Sequence, residues 1–182
     1  MHIKKWVHIV TKYFDSIVFI FAIASIILIA FQFLSVNYAV VLRYGWGLTV
    51  KGLFDTWEYS MLYMTFLGAA FLLKMGGHVN LDLLVKRLRP KFQNLLNSTM
   101  AALSALGCLA LTVYGSRIVL TTFLAGEIME DSEIQPPEFV ILMVIPLGAF
   151  LLFIQFARIG YGYAKAAGKK EVARMVDKDI LV

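Results

Sequence analysis

Charged residues are missing from four long stretches of this chain. No Asp, Glu, Lys or Arg occurs from Ser16 to Leu42, Tyr59 to Leu73, Phe92 to Ser116 or Phe139 to Ala157. Only 16% of the 182 residues are charged, whereas 60% are hydrophobic. A membrane-spanning helix needs about 20 mostly apolar residues, and a water-soluble domain of this composition would expose large apolar patches. The gaps in charge therefore predict an integral membrane protein.

Residues that usually build reactive or metal-binding sites are also scarce in these stretches. Cys108 is the single cysteine, which excludes a disulfide framework or a multi-cysteine metal site within one chain. His2, His8 and His78 all lie outside the stretches, so no histidine pair can hold a haem between spans. The stretches also contain no acidic residue of the kind that carriers place at mid-membrane depth. We expect no enzyme activity, no substrate site and no cofactor in this chain.

What the sequence does contain predicts an all-α fold in a single membrane domain covering residues 1–182. The four transmembrane helices are expected at about 15–37, 57–74, 93–116 and 138–158. The first apolar run is too long for the core of a signal peptide, so we expect an uncleaved span. Short amphipathic helices are expected in the interface before the first span and at Leu81–Leu88, ahead of Pro90. The expected membrane-interface anchors are Trp6, Lys74, Lys86, Arg87 and Arg89.

The basic residues are divided unequally between the two sides that four spans would create. Fourteen of the 17 lysines and arginines lie in the N-terminal segment, the second loop and the tail. The other two loops hold only Arg43, Lys51 and Arg117. Because basic loops stay in the cytoplasm, this division predicts that both termini are cytoplasmic. Basic residues beside apolar spans also argue against a nucleic-acid partner, and membrane lipids are the expected contacts.

The loop between the third and fourth spans is acidic. It carries Arg117 as its single basic residue against five acids, namely Glu127, Glu130, Asp131, Glu133 and Glu138. One interpretation is a solvated loop that stays outside the membrane. The other is a docking patch for a soluble partner, for which Glu127, Glu130, Asp131 and Glu133 are candidates.

Small residues recur at helical spacing in the third span. Ala101, Ala105 and Cys108 share one stripe, which would let a neighbouring helix approach closely in lipid. They are candidate interface residues, and the span is expected to pack inside a bundle. Pro146 in the last span removes the hydrogen bond to the carbonyl of Leu142, so it predicts a kink.

Several motifs occur in a fixed order along the four expected spans. VVLRYGWG with Arg43 ends the first span, and Trp57-Glu58 opens the second. FLGAAFLLK closes the second span at Lys74, and GGHVNLDLL leads into the basic amphipathic helix. IPLG, from Ile145 to Gly148, lies in the last span. In this order, the motifs resemble the small membrane subunit of tripartite ATP-independent periplasmic (TRAP) transporters. The resemblance covers nearly the whole chain.

The resemblance implies a scaffold subunit of a bacterial inner-membrane transporter for organic acids. A larger multi-span subunit would carry the substrate and the sodium ions, and a periplasmic binding protein would deliver the substrate. Arg43, Trp57 and Glu58 then become candidate contacts with the larger subunit. The residues alone also leave two other hypotheses open. The chain could be a membrane anchor for an enzyme complex or an independent small carrier.

Overall fold

The computed structural model describes residues 2–75, 90–130 and 132–168, and this part of the chain is almost entirely helical. The helices are α1 (His2–Trp46), α2 (Leu53–Lys74), α3 (Pro90–Ala125), α4 (Glu138–Leu142) and α5 (Val144–Gly168). The extended pairing found within the described ranges is an isolated antiparallel bridge between Ile128 and Pro137. Gly47 and Gly126 follow α1 and α3 with φ values of 67° and 65°, a left-handed conformation that glycine adopts readily at helix ends. The expected all-α fold is confirmed for these residues.

Three of the described helical segments are long and apolar enough to cross a membrane. They are Thr11–Trp46, Leu95–Ala125 and Glu138–Ala164. α2 has 22 residues but includes Asp55, Glu58 and several polar side chains, and it does not reach the same apolar content. The structure thus supports the first, third and last of the four expected spans by length and composition, and the second span, in α2, stays a prediction.

The first helix differs from its prediction at both ends. It continues without a break from His2 to Trp46, whereas a separate interfacial helix was expected before a span ending near residue 37. The N-terminal segment has no proline or glycine that would end a helix before Ser16, so one continuous helix forms. The second amphipathic helix, expected at Leu81–Leu88, lies outside the described residues.

The helices pack as neighbours in the order α1, α2, α5, α3. α2 packs against α1 on one side and α5 on the other, and α3 packs along α5. The buried centre consists of Val18, Ala70 and Leu151, one from each of α1, α2 and α5. Half-buried aromatic and aliphatic side chains surround it: Phe14, Phe21, Phe71 and Leu152. α2 runs antiparallel to α1 and parallel to α5, and α3 runs antiparallel to α5, so the ends of the helices gather in two groups.

Glycines allow close contacts between the helices. A Cβ atom built on Gly148 of α5 would lie 2.6 Å from the carbonyl oxygen of Phe66 on α2. One built on Gly68 would lie 3.2 Å from Ser25 Oγ on α1, and one on Gly115 would lie 3.4 Å from the ring of Pro146. Close backbone approach is how apolar helices gain van der Waals contact in lipid, where the hydrophobic effect no longer drives association.

The kink expected from Pro146 appears as an interruption of helical structure at Met143, between α4 and α5. Proline has no N–H to donate to the carbonyl four residues earlier, so the turn before it loses a hydrogen bond. The hydroxyl of Tyr63 on α2 donates a hydrogen bond to the carbonyl of Val140 in this turn. This hydrogen bond joins α2 to the turn before the interruption.

Candidate functional site

One end of the bundle, which we name the Asp55 end, brings the loop at 47–52 together with the loop at 126–137. Asp55 lies in the first turn of α2, and its Oδ2 accepts hydrogen bonds from Ser132 Oγ and the Glu133 backbone N–H, both at 2.8 Å. Ser132 is buried, and its hydroxyl also accepts a hydrogen bond from the Ile134 N–H at 3.2 Å. Asp55 therefore fastens the loop at 126–137 onto the start of α2.

Gly52 forms a second contact between the same two loops. Its φ is 73°, and a Cβ atom at this position would lie 2.9 Å from Cγ1 of Ile134. Any other residue at position 52 would be strained in this backbone conformation, and its Cβ would also clash with Ile134. Glycine is therefore required here for two separate reasons.

The loop at 126–137 has internal order of its own. The N–H of Met129 donates to the carbonyl of Pro136 at 3.1 Å, and that of Glu138 donates to the carbonyl of Glu127 at 3.2 Å. At the base of the loop, the rings of Phe123 and Phe139 meet edge to face at a centroid distance of 5.0 Å. These bonds give the loop a defined surface.

Three acidic side chains of this loop are open to solvent. Glu127, Glu130 and Glu133 are exposed, and Glu138 is half-buried at the start of α4. Asp131 lies outside the described residues. Ile128 and Ile134 are exposed beside the acids. The structure therefore presents an acidic surface with apolar side chains within it, and whether a partner binds there stays a prediction.

The candidates at the end of α1 and the start of α2 lie close to the same end. Arg43 and Glu58 are both exposed, and the ion pairs formed by described residues do not include one between them. Trp57 is half-buried, and its Nε1–H donates to Ser35 Oγ at 2.8 Å. Ser35 in turn donates to the carbonyl of Gln32 at 3.0 Å. Trp57 thus holds α2 against α1, while Arg43 and Glu58 remain open to a partner.

At the opposite end, which we name the Asp15 end, one carboxylate connects three helices. Asp15 of α1 forms ion pairs with Lys74 Nζ of α2 at 3.2 Å and with Arg158 Nη1 of α5 at 2.9 Å. Arg158 Nη1 also lies 3.4 Å from Gln155 Oε1, and its guanidinium carbon lies 5.6 Å from the centre of the Phe14 ring. Lys74 was expected only as an interfacial anchor, and the structure adds this ion pair to it.

Sequence reasoning did not identify the role of Asp15 or Arg158. A signal was nevertheless present, because Asp15, Lys74 and Arg158 are each the first charged residue at one end of an uncharged stretch. Helices that alternate in direction bring these three boundaries to the same side of the bundle. The boundary charges include one acid and two bases, which can pair once they meet.

The small residues of α3 have two different surroundings. Ala101 and Ala105 are buried within the chain, and Gly160 of α5 lies against Ala101. Cys108 is half-buried and lines a lateral groove of about 670 Å³ between α2, α3 and α5. The other residues that line this groove are Ala69, Ser104, Gly107, Ala110, Leu111, Tyr114, Leu152 and Phe156. Ala101 and Ala105 thus serve contacts inside the chain, and Cys108 lies where a second protein or lipid could reach it.

The remaining candidates cannot be placed. The side chain of Trp6 lies outside the described part of α1, and Lys86, Arg87 and Arg89 lie outside the described residues altogether. Within residues 2–75, 90–130 and 132–168, no three His, Cys, Asp or Glu side chains form a group that could hold a metal ion. The arrangement at the described ends consists of paired charges and hydrogen bonds that join helices and loops.

Comparison with known proteins gives these surfaces a context. Residues 32–159 match the family model of tripartite ATP-independent periplasmic transporters, DctQ component. The chain is also similar to the C4-dicarboxylate TRAP transporter small permease protein DctQ of Rhodobacter capsulatus, with 28% identity over 125 residues. That match covers 64% of this chain and 53% of the relative, so it spans about half the relative's length. The family match includes both Trp57 and the loop at 126–137, but it begins after Asp15. The resemblance is therefore confirmed: this chain belongs to the DctQ components of tripartite ATP-independent periplasmic transporters and is a transport component of the membrane, not an enzyme.

Proposed function

We propose that this chain is the scaffold subunit of a TRAP transporter that takes up an organic acid. A larger multi-span subunit carries the substrate and sodium sites, and a periplasmic binding protein delivers the substrate. The observation that carries this proposal is the family match over residues 32–159. The relative from Rhodobacter capsulatus is named for C4-dicarboxylates, and we infer that a small organic acid is also the substrate class here.

The distribution of buried residues supports a partner in the membrane. The most apolar windows of the spans in α1 and α3 are only 17% and 6% buried within the chain, compared with 33% for the last span. α3 is also the least apolar of the three, with a mean hydropathy of 1.6. A helix that is the least apolar and the least buried benefits most from contact with another protein, because its polar side chains are then shielded from lipid.

We further propose that α2 crosses the membrane as the second of four spans and that both termini are cytoplasmic. At one end of α2, Lys74 forms an ion pair with Asp15 of α1. Near the other end, Trp57 donates a hydrogen bond to Ser35 of α1, so the two helices lie side by side between these contacts. Asp15 and Ser35 are twenty residues apart on a continuous helix, which is about 30 Å at 1.5 Å per residue. The hydrocarbon core of a membrane is about 30 Å thick, so these two contacts fit its two boundaries.

Reconstitution of uptake tests the proposed role. We expect the tagged chain to co-purify with a larger membrane protein of the same transporter class. In liposomes, sodium-driven uptake of a labelled C4-dicarboxylate should require that protein, this chain and the binding protein together. Uptake should fall to background without this chain, since the larger subunit would lack its stationary support. Uptake at the full rate by the larger subunit and binding protein alone would show that the chain is not needed.

Cysteine labelling tests the orientation. In a Cys108→Ala background, Gly126→Cys should react with a membrane-impermeant thiol reagent added outside intact cells. Lys12→Cys, also at an exposed position, should react only after the membrane is permeabilised. The expectation follows from the unequal division of basic residues. The opposite labelling pattern would mean that both termini face outward. If both cysteines reacted from the same side, α1, α2 and α3 could not all cross the membrane.

A further inference from the structure

The charge at the Asp15 end is unbalanced. Among the described residues, two cations, Lys74 and Arg158, share the single carboxylate of Asp15. The side chains of Lys74, Asp15 and Arg158 are 24%, 22% and 37% exposed, so all three are partly withdrawn from water. A net positive charge in such surroundings favours a further anion, because the interaction is weakly screened there.

Lys74 and Arg158 also have N–H donors that the described contacts do not use. A lysine ammonium has three N–H donors and an arginine guanidinium has five. The described contacts use Lys74 Nζ once, towards Asp15 Oδ2, and use only Nη1 of Arg158, towards Asp15 Oδ1 and Gln155 Oε1. The ring of Phe14 lies against the guanidinium, which holds it in place through a cation–π contact. Within the part of the chain that the structure describes, the site is therefore preorganised and keeps unused donors.

The depth of the cluster identifies the anion. Asp15 is the last charged residue before the uncharged stretch from Ser16 to Leu42, and Lys74 and Arg158 border two of the other stretches. The cluster therefore lies where the hydrocarbon core meets the headgroups. This placement depends only on the ends of the apolar stretches, so it holds for either orientation of the chain. The anion that is abundant at this depth is the phosphate of a phospholipid.

Apolar surface continues from the cluster into the membrane. Ile17 and Phe19 of α1 and Leu72 of α2 are exposed on the membrane side of the charged residues. A lipid whose phosphate met Lys74 and Arg158 could lay its acyl chains along such side chains. A free phosphate ion would gain only the charged contacts.

We propose that Lys74 and Arg158 form a binding site for the phosphate of an anionic phospholipid, with Asp15 as the internal carboxylate that competes for the same donors. This site joins α1, α2 and α5, so a bound lipid would bridge three helices. The inference does not depend on the transport role, since it rests on the charges and their depth alone.

Native mass spectrometry of the purified protein, with any co-purifying subunit retained, tests this site. Titration with phosphatidylglycerol should show one lipid that is retained more tightly than phosphatidylcholine. Lys74→Gln and Arg158→Gln should each weaken its retention about five- to tenfold, as expected for the loss of one charge-assisted contact. The matched control is Lys12→Gln, which removes an exposed charge near the same end and should leave retention unchanged.

Asp15→Asn separates a lipid site from a purely structural cluster. It removes the competing carboxylate, so phosphatidylglycerol should bind several-fold more tightly, while a structural cluster would only lose stability. Millimolar inorganic phosphate should not displace the lipid, and displacement would point to a free-phosphate site instead. The proposal is wrong if Lys12→Gln weakens retention as much as Lys74→Gln does, or if Asp15→Asn leaves lipid binding unchanged or weaker.

Discussion

Replacing Gly148 by alanine is expected to destabilise the folded chain strongly. The added Cβ would lie 2.6 Å from the Phe66 carbonyl oxygen and 2.7 Å from the Phe66 Cβ, distances that real Cβ atoms essentially never show. The oxygen belongs to the backbone of α2, so a rotamer change cannot relieve this contact, and α2 and α5 must move apart. Overpacking of this kind typically costs about 1–3 kcal/mol. Separation of α2 from α5 would also disturb the buried centre at Val18, Ala70 and Leu151.

Gly162→Ala is the matched control for this prediction, because it makes the same change on the same helix. Nothing lies within 4 Å of a Cβ built at Gly162. Alanine has a higher helix propensity than glycine by about 1 kcal/mol, so this variant should be neutral or slightly more stable. The midpoint of thermal unfolding in detergent and the yield of monodisperse protein measure both variants. Equal midpoints for Gly148→Ala and Gly162→Ala would contradict the close packing of α2 and α5.

Neutralising the acidic surface at the Asp55 end should slow delivery of substrate by the binding protein. In the variant, Glu127, Glu130 and Glu133 are each replaced by glutamine. All three side chains are exposed on a loop that backbone hydrogen bonds and Asp55 hold in place. Charge complementarity mainly accelerates encounter, and steering of this kind raises association rates by about 10- to 1,000-fold. We expect about a tenfold increase in the binding-protein concentration that gives half-maximal uptake, with the maximal rate little changed.

Three controls distinguish docking from a general defect. The membrane complex should still assemble, because the altered side chains lie outside the helices. High salt should reduce the difference between the variant and the unmodified chain, since salt screens exposed charges. A second variant that replaces Glu171, Asp177 and Asp179 by their amides removes three acids from the tail and should transport normally. If the loop variant transports normally at every binding-protein concentration and salt level, the loop does not dock the binding protein and is only a solvated connection.

The order of residues along the chain was enough to predict the class of protein and most of its helices. The absence of charge from Ser16 to Leu42, Phe92 to Ser116 and Phe139 to Ala157 marks segments that are stable only in an apolar medium, and a helix satisfies their backbone without partners. These properties depend on neighbours in sequence, so they can be read locally. Pro146 likewise predicted a kink in its own helix, and helical structure is interrupted nearby, at Met143. The motif order around Arg43, Trp57 and Lys74 was sufficient to suggest the family.

The contacts that join the elements could be decided only by the tertiary structure. Asp55 and Ser132 are 77 residues apart, and Asp15 and Arg158 are 143 residues apart. Whether such residues meet depends on the rotation of each helix about its axis and on its shift along that axis relative to the neighbouring helices. Those quantities follow from how closely the backbones approach, as at Gly148 against Phe66, and from which side chains fill the space between them. Sequence spacing fixes which residues share a helix face, but packing against another helix decides what that face contacts.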